Sequence, residues 1–265
     1  MKLIPFALLI ATLSGCDSGP NLAELCSQHP NICNEFTEDS WCKRERIAVG
    51  FKNLAVLQEP GDKHKFDLLV AYENYAKCMD FASQIEHIKL KEKRTFRIDN
   101  AIKAKNRIQQ LSDETVNTEN PDLLFYHWSR YLDKEALAKF LKLEGTGALE
   151  TPLAQFNLAT YYTKRDPKKT LTLLFHALEL YKQDDDINIE IFKSISTIFD
   201  ERNEPKKAYI WLKMIQLYSP DDEETSIKVR EEYIKTHALD SAYLDKIAVV
   251  TLDNIINGNF KSPRI

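Results

Sequence analysis

Side chains able to do chemistry are plentiful in this sequence, but few stand at the spacings chemistry needs. Five cysteines (Cys16, Cys26, Cys33, Cys42, Cys78) and six histidines (His29, His64, His87, His127, His176, His237) come first. A zinc ribbon or a dithiol redox centre needs Cys-x-x-Cys, which lets two sulfurs reach one point, and the sequence has none. His-Glu-x-x-His and the Gly-x-Ser-x-Gly elbow are absent too. His29, between Cys26 and Cys33, leaves zinc as a minor alternative there. The acidic runs Asp184-Asp185-Asp186 and Asp221-Asp222-Glu223-Glu224 precede helical patterns. Acids there cap free N–H groups and suit the helix dipole; a calcium loop would also need its turn glycine. Gly is scarce, with 7 residues, and Gly145 and Gly147 are the one close pair, which argues against a phosphate-cradling loop. The sequence thus predicts no catalytic residue, no metal and no cofactor.

Cys16 has a different chemistry in prospect. Lys2 is the one charge before Asp17, Leu3 to Ala11 form a short apolar run, and Leu13-Ser14-Gly15-Cys16 follows. One positive charge, a short apolar core and small residues before a cut site make a secretory signal, here residues 1–15. Nine apolar residues are too few to span a bilayer, which needs about 20. Leu-Ser-Gly-Cys resembles a bacterial lipobox. The resemblance implies cleavage before Cys16, diacylglycerol on its sulfur and acylation of its new amine, so the partner is a lipid bilayer; two or more acyl chains hold stably. Asp17 resembles an inner-membrane retention signal of Gram-negative lipoproteins, which slightly favours that membrane. Residues 16–22 are then a lipidated polar tether.

Setting Cys16 aside leaves four cysteines in an oxidising compartment, where two disulfides are the default. Cys42 and Cys78 each lie 18 residues from the Pro60-Gly61 turn. Ile47, Phe51 and Leu54 before it, and Phe66, Leu69, Tyr72 and Tyr75 after it, recur at helical spacing. In an antiparallel hairpin Cys42 then faces Cys78. Cys26 would pair with Cys33, because Pro30 breaks the helix that would otherwise hold them about 10.5 Å apart.

Two clusters combine aromatic and cationic groups, the composition of binding hot spots. Tyr126, His127, Trp128 and Arg130 form one; Tyr161, Tyr162, Lys164 and Arg165 form the other. Trp128 and one tyrosine of each pair could equally be core. From Glu86 to Arg107 eight Lys/Arg face three acids. Such a stretch either touches anionic headgroups or an acidic partner, or simply faces water beside the stripe Ile98, Ala101, Ile102, Ile108, Leu111; the second is the commoner arrangement.

The elements that must position these groups read as all-α. Residues 23–112 form a disulfide-stapled helical region, with a long helical stretch from Lys65 to Leu111. A second region, 121–258, repeats. Arg165-Asp166-Pro167-Lys168-Lys169 recurs as Asn203-Glu204-Pro205-Lys206-Lys207, a shift of 38 positions. Leu173 falls on Trp211, Leu174 on Leu212, Ala177 on Ile215. Helix pairs at that period mark α-solenoids. Ala154-x-x-x-Leu158-Ala159-x-x-Tyr162 resembles the first helix of Sel-like tetratricopeptide repeats, and Lys207-Ala208-x-x-Trp211 the second. Phe125-Tyr126-His127-Trp128-Ser129-Arg130 and Ala148-Leu149-Glu150-Thr151-Pro152 resemble an uncharacterised Gram-negative lipoprotein family, a domain of unknown function; that resemblance implies no activity.

With 36 Lys+Arg against 40 Asp+Glu the chain is mildly acidic, and as an exported protein it is not expected to meet nucleic acid. The expectation is a lipid-anchored periplasmic binding or scaffold protein of a Gram-negative envelope, not an enzyme, whose repeats hold a protein or peptide through Tyr126, His127, Trp128, Arg130, Tyr162 and Lys164. A cell-wall enzyme and a structural envelope component are the alternatives.

Overall fold

The computed structural model describes residues 22–85, 92–221 and 227–263, and these are all-helical. Cys16, the signal and nearly all of the tether lie outside the described residues, as do His87, Lys89, Lys91 and the acids at 222–224. The chain divides into two compact units, up to Asn117 and from Thr118.

The first unit is an antiparallel bundle of α3 (Lys43–Gln58), α4 (Asp62–Ser83) and α5 (Glu92–Thr115), with α1 (Leu22–Gln28) and α2 (Pro30–Cys33) packed on α3. The helical stretch expected from Lys65 to Leu111 is two helices lying side by side, not one. Lys105 pairs with Asp80 at 2.8 Å and Lys65 with Glu114 at 3.7 Å, a register in which position rises along α5 as it falls along α4. The cysteines join as Cys26–Cys33 (Cα–Cα 5.4 Å) and Cys42–Cys78 (6.0 Å). Both sulfurs of the first pair are therefore committed, which removes the zinc alternative around His29. Gly50 lets α1 and α2 approach α3: an added Cβ would already touch Leu22, Ile32 and Leu25 at 3.7–3.9 Å.

Between α2 and α3 the chain forms an irregular strap, residues 34–42, seated against α4 and α5. Asn100 on α5 accepts from Thr37 N–H (3.0 Å) and donates to its carbonyl (2.8 Å), pairing with the strap as a second backbone would. Phe36 is buried against Tyr75 (4.5 Å) and Tyr72 (6.2 Å). Tyr72 donates to Glu35 at 2.9 Å, and Arg107 pairs with the same carboxylate at 2.7 Å. Buried Arg97 donates to Asp39 through Nε (2.7 Å) and Nη2 (3.4 Å), and to the Ala82 carbonyl through Nη1 (2.7 Å).

These contacts correct the reading of the basic stretch. Buried Arg97 faces neither water nor a partner but holds the strap, exposed Arg107 also pairs with it through Glu35, and Lys105 bridges to α4. The buried face of α5 is also one step off expectation. It runs Arg97, Asn100, Ala101, Ala104, Leu111, Ser112, Thr115, while Ile98 and Ile102 stand in solvent. Arg97 and Asn100 lie inward because they bond the strap, while Ser112 and Thr115 donate to carbonyls of α5 itself.

The second unit stacks helix pairs as a solenoid does: α6 (Pro121–Tyr131) with α7 (Lys134–Lys142), α8 (Pro152–Tyr162) with α9 (Pro167–Glu179), and α10 (Ile189–Glu201) with α11 (Pro205–Tyr218). α12 (Ile227–His237) and α13 (Ser241–Ile256) follow, both packed on α11. Start signals recur: Asn120, Thr151 and Asp166 each accept from the first-turn N–H groups of a helix whose next residue is proline. Asp184-Asp185-Asp186 do not cap α10; Asn188 does. Asp185 accepts from Lys182 N–H and Asp186 from the Tyr218 hydroxyl, while Asp184 turns the chain at φ 68°.

The matched stripes lie inward. Thr170, Leu174 and Ala177 are buried on α9, and Ala208, Trp211 and Ile215 on α11. Packing continues past α13. Gly258 has φ 66° and approaches Tyr181, Lys182 and Gln183 so closely that an added Cβ would meet their backbone at 3.3 Å. The tail then returns to α9: Phe260 is buried 6.3 Å from Phe175, and Ser262 N–H donates to Glu179 at 2.7 Å.

Candidate functional site

The returning tail helps to line a cleft of about 610 Å³. Its floor is aromatic: Phe175 from α9, Phe199 from α10, Trp211 from α11 and Phe260 from the tail. Ile210, Ile247 and Thr251 add walls from α11 and α13. The rim carries Arg202, Lys207 and Lys261 with one acid, Glu204. Lys207 pairs with Glu204 and lies 5.1 Å from the Phe199 ring centroid. Arg202 donates to the Pro167 carbonyl at 3.2 Å, fixing the end of α10 beside the start of α9. The volume lies within the range of small-ligand sites, and an apolar floor under three cations suits an apolar group that carries negative charge.

The aromatic–cation clusters named from the sequence meet elsewhere. Rings run from Phe140 to Phe125 (5.5 Å), Trp128 (5.3 Å), Tyr161 (5.6 Å) and Tyr162 (5.0 Å), mostly edge to face. This ladder joins the α6–α7 pair to the α8–α9 pair, and such contacts stabilise by about 0.5–1.5 kcal/mol each beyond area. Arg165 stacks on Tyr161 at 4.2 Å. Lys169 lies over Tyr162 at 3.8 Å and pairs with Glu144, which accepts from the Tyr162 hydroxyl at 2.7 Å.

Of the six residues expected to face a partner, Tyr126 and His127 are buried and offer no surface. Their positions on α6 fall on its inward stripe beside Leu123 and Leu124. Trp128 and Tyr162 are half-buried in the ladder; Arg130 and Lys164 are exposed, Arg130 5.6 Å from the Tyr126 ring centroid. Sequence reasoning missed the cleft. Phe175, Phe199 and Trp211 sat in helical stripes that any core produces, and Lys207 was part of the repeated motif. Phe260 followed the last expected helix; its signal was Gly258 two residues before an isolated aromatic.

One titrating group stands by the tail. His176 on α9 lies 2.8 Å from Glu150 and 3.4 Å from Glu179, the carboxylate that accepts from Ser262 N–H. Partial burial pushes His176 down, but hydrogen bonds and charge from the two carboxylates push it further up, so it ends above its ordinary value. A raised histidine stabilises the fold fully below its unfolded pKa of about 6.5, and that contribution is lost as pH rises through the folded value. The expected result is a shallow fall in stability as pH rises above about 6.5 that His176→Gln removes. The pair is half-exposed, so its size is about 0.5 kcal/mol or less and shrinks with salt. Thermal melts along a pH series measure it; a wild type and variant with parallel profiles would contradict the assignment.

No helix among the described residues is long and apolar enough to cross a membrane. Among the described residues the one close Cys/carboxylate group, Cys42, Glu45 and Cys78, has both sulfurs in a disulfide and so presents no thiolate. Comparison with curated proteins and with solved structures finds no match. A family model does match, from before Cys16 through the strapped bundle and the helix pairs to the middle of α11. Over residues 13–213 the sequence fits the family described as Protein of unknown function (DUF2989), and the chain belongs to that family.

Proposed function

We propose that this is a lipid-anchored protein of a Gram-negative envelope, held by acylated Cys16 and facing the periplasm. Its second unit binds a segment of another envelope protein or a peptide. The observation that carries the binding reading is the cleft: four aromatic side chains under Arg202, Lys207 and Lys261, beside one acid. An extended peptide with an apolar side chain next to Asp or Glu satisfies both parts. The apolar side chain leaves water on the aromatic floor, and the carboxylate meets charge-assisted donors at the rim. Binding modules of this kind need no reacting group, consistent with the absence of catalytic spacings in the sequence.

One experiment tests anchor and binding together. A photo-crosslinking residue is placed at Thr251, in the cleft wall, or at Lys228 on α12, and cells are irradiated and fractionated. The expected result is one stoichiometric protein adduct from position 251, none from 228, and loss of the 251 adduct with Arg202→Glu plus Lys207→Glu. Cys16→Ser should move the protein out of the salt-washed membrane pellet, since salt strips a charge-held protein but not an acyl anchor. Equal adducts from both positions would sink the cleft reading, and a Cys16→Ser protein still wholly in the pellet would sink the anchor.

A further inference from the structure

The α3–α4–α5 bundle differs between its two ends. One end gathers the start of α3, the end of α4, the start of α5 and the junction of Asp39, Arg97 and Ala82. Four large apolar side chains stand in solvent there: Trp41 (53% exposed), Phe81 (64%), Phe96 (40%) and Ile98 (41%). Trp41 packs its ring 5.7 Å from the Arg97 guanidinium, and Phe81 shares a hollow with Lys77 and Arg44. Most acids at this end are committed internally: Glu38 to Arg46 (2.7 Å), Glu45 to Arg44 (3.5 Å), Asp80 to Lys105 (2.8 Å) and Asp39 to Arg97. Among the described residues there, Lys43, Lys77, Lys93 and Arg94 then stand against Glu92 and Asp99. At the opposite end Glu59, Asp62, Asp67, Asp113 and Glu114 outnumber Lys52, Lys63 and Lys65, which pair with some of them, so the charge reverses along the bundle.

We propose that the Trp41–Phe81–Phe96 end of the bundle docks on an anionic lipid bilayer. Tryptophan and phenylalanine seat at headgroup depth, and lysine and arginine stems lie along apolar surface while their charges meet phosphate. An acidic leaflet attracts each nearby cation, and the charge reversal selects this end over the other. Chain length agrees, and here the proposal rests on the Cys16 anchor. Leu22 packs beside Gly50, which lies eight residues, or about 12 Å of helix, from Cys42. Six residue steps from Cys16 to Leu22 have a reach of at most about 20 Å, enough for an acyl group on Cys16 to meet the plane of Trp41 and hold this end against the bilayer.

The test uses the unacylated chain from residue 17, which keeps every described residue, and protein-free vesicles. The expected result is sedimentation with vesicles of phosphatidylcholine plus phosphatidylglycerol, little with phosphatidylcholine alone, and release by salt. Lys43→Gln with Lys93→Gln and Arg94→Gln should lower the partition coefficient about tenfold or more. Trp41→Ser with Phe96→Ser should do likewise, and Leu57→Ser, an exposed apolar residue on the last turn of α3, should leave it unchanged. Melting curves confirm that each variant is folded. Absence of binding to anionic vesicles, or equal loss with Leu57→Ser, would overturn the proposal. So would binding seen only with native envelope vesicles and abolished by protease, which would assign this face to a protein. Because this chain lacks Cys16, vesicle binding and the Cys16→Ser fractionation fail independently of each other.

Discussion

Replacing Arg97 by alanine is expected to cost the first unit about 3–5 kcal/mol, the usual result of removing one partner of a buried ion pair. The guanidinium and the Asp39 carboxylate have side chains only 3% and 5% exposed. Without Arg97 the carboxylate keeps the Trp41 N–H (2.8 Å) but loses its cation, and the Ala82 carbonyl loses its donor. Arg97→Lys should recover part of the loss, since an ammonium neutralises Asp39 but does not reproduce the fork that spans carboxylate and carbonyl. Arg97→Met with Asp39→Leu should lose less than Arg97→Ala, because no buried charge is stranded. Acid provides a second reading. Burial raises the Asp39 carboxyl, but the Arg97 hydrogen bond, the Trp41 N–H and the charges of Arg97 and Lys93 outweigh it and hold it below its ordinary value. The stability this gives is present above the unfolded carboxylate pKa of about 3.9 and is lost as pH falls through the folded value. In Arg97→Ala the acid limb should therefore move to higher pH. Denaturant melts followed through Trp41, which stacks on the guanidinium, measure both effects; an Arg97→Ala chain within about 1 kcal/mol of wild type would contradict the buried-pair account.

Trp211→Ala should cost the second unit about as much, roughly 3–5 kcal/mol, the range for emptying a large aromatic site. Trp211 is 5% exposed and packs 5.7 Å from both Phe175 and Phe192. Its ring is also part of the cleft floor, so the space left by the substitution opens into that cleft and fills with water instead of collapsing. The exposed Arg130→Ala and Lys164→Ala should stay within about 0.5 kcal/mol, which gives the comparison an internal scale. A Trp211→Ala protein that melts like wild type would mean that α9, α10 and α11 do not share one core.

How much of this was legible follows from what repeats and what does not. The helix pairs of the second unit were readable because α9 and α11 bury matched positions, so Thr170 and Ala208 or Ala177 and Ile215 announce themselves at a fixed offset, while Leu212, matched to buried Leu174, is half-buried. The disulfides were readable because an antiparallel hairpin puts residues equidistant from Pro60-Gly61 in contact. The strap was not. Asn100 and Thr37 are 63 residues apart, and their pairing depends on a third dimension that no periodicity encodes. For the same reason Arg97 looked like one charge in a basic run, and the inward face of α5 was assigned to Ile98 and Ile102 instead of to its neighbours. The aromatic clusters were correctly seen as unusual, but burial of Tyr126 and His127 shows that side-chain type alone does not separate a core stripe from a surface. The cleft escaped notice because its floor is shared with the core and completed by a short tail held by Gly258.

The order of the disulfides along the chain bears on how the molecule is made. Cysteines 26, 33, 42 and 78 are joined first to second and third to fourth. With Cys16 set aside for acylation, as proposed above, a chain exported from its N-terminus presents Cys33 to Cys26 before Cys42 or Cys78 emerges. When Cys42 follows, its earlier neighbours are already consumed, and Cys78 is the next sulfur to arrive. Pairing each thiol with the next free one as it appears yields the native bridges. Oxidation during delivery therefore needs no reshuffling, and refolding from a fully reduced, full-length chain, where all four thiols compete, should be the harder route and the one that profits from an isomerase.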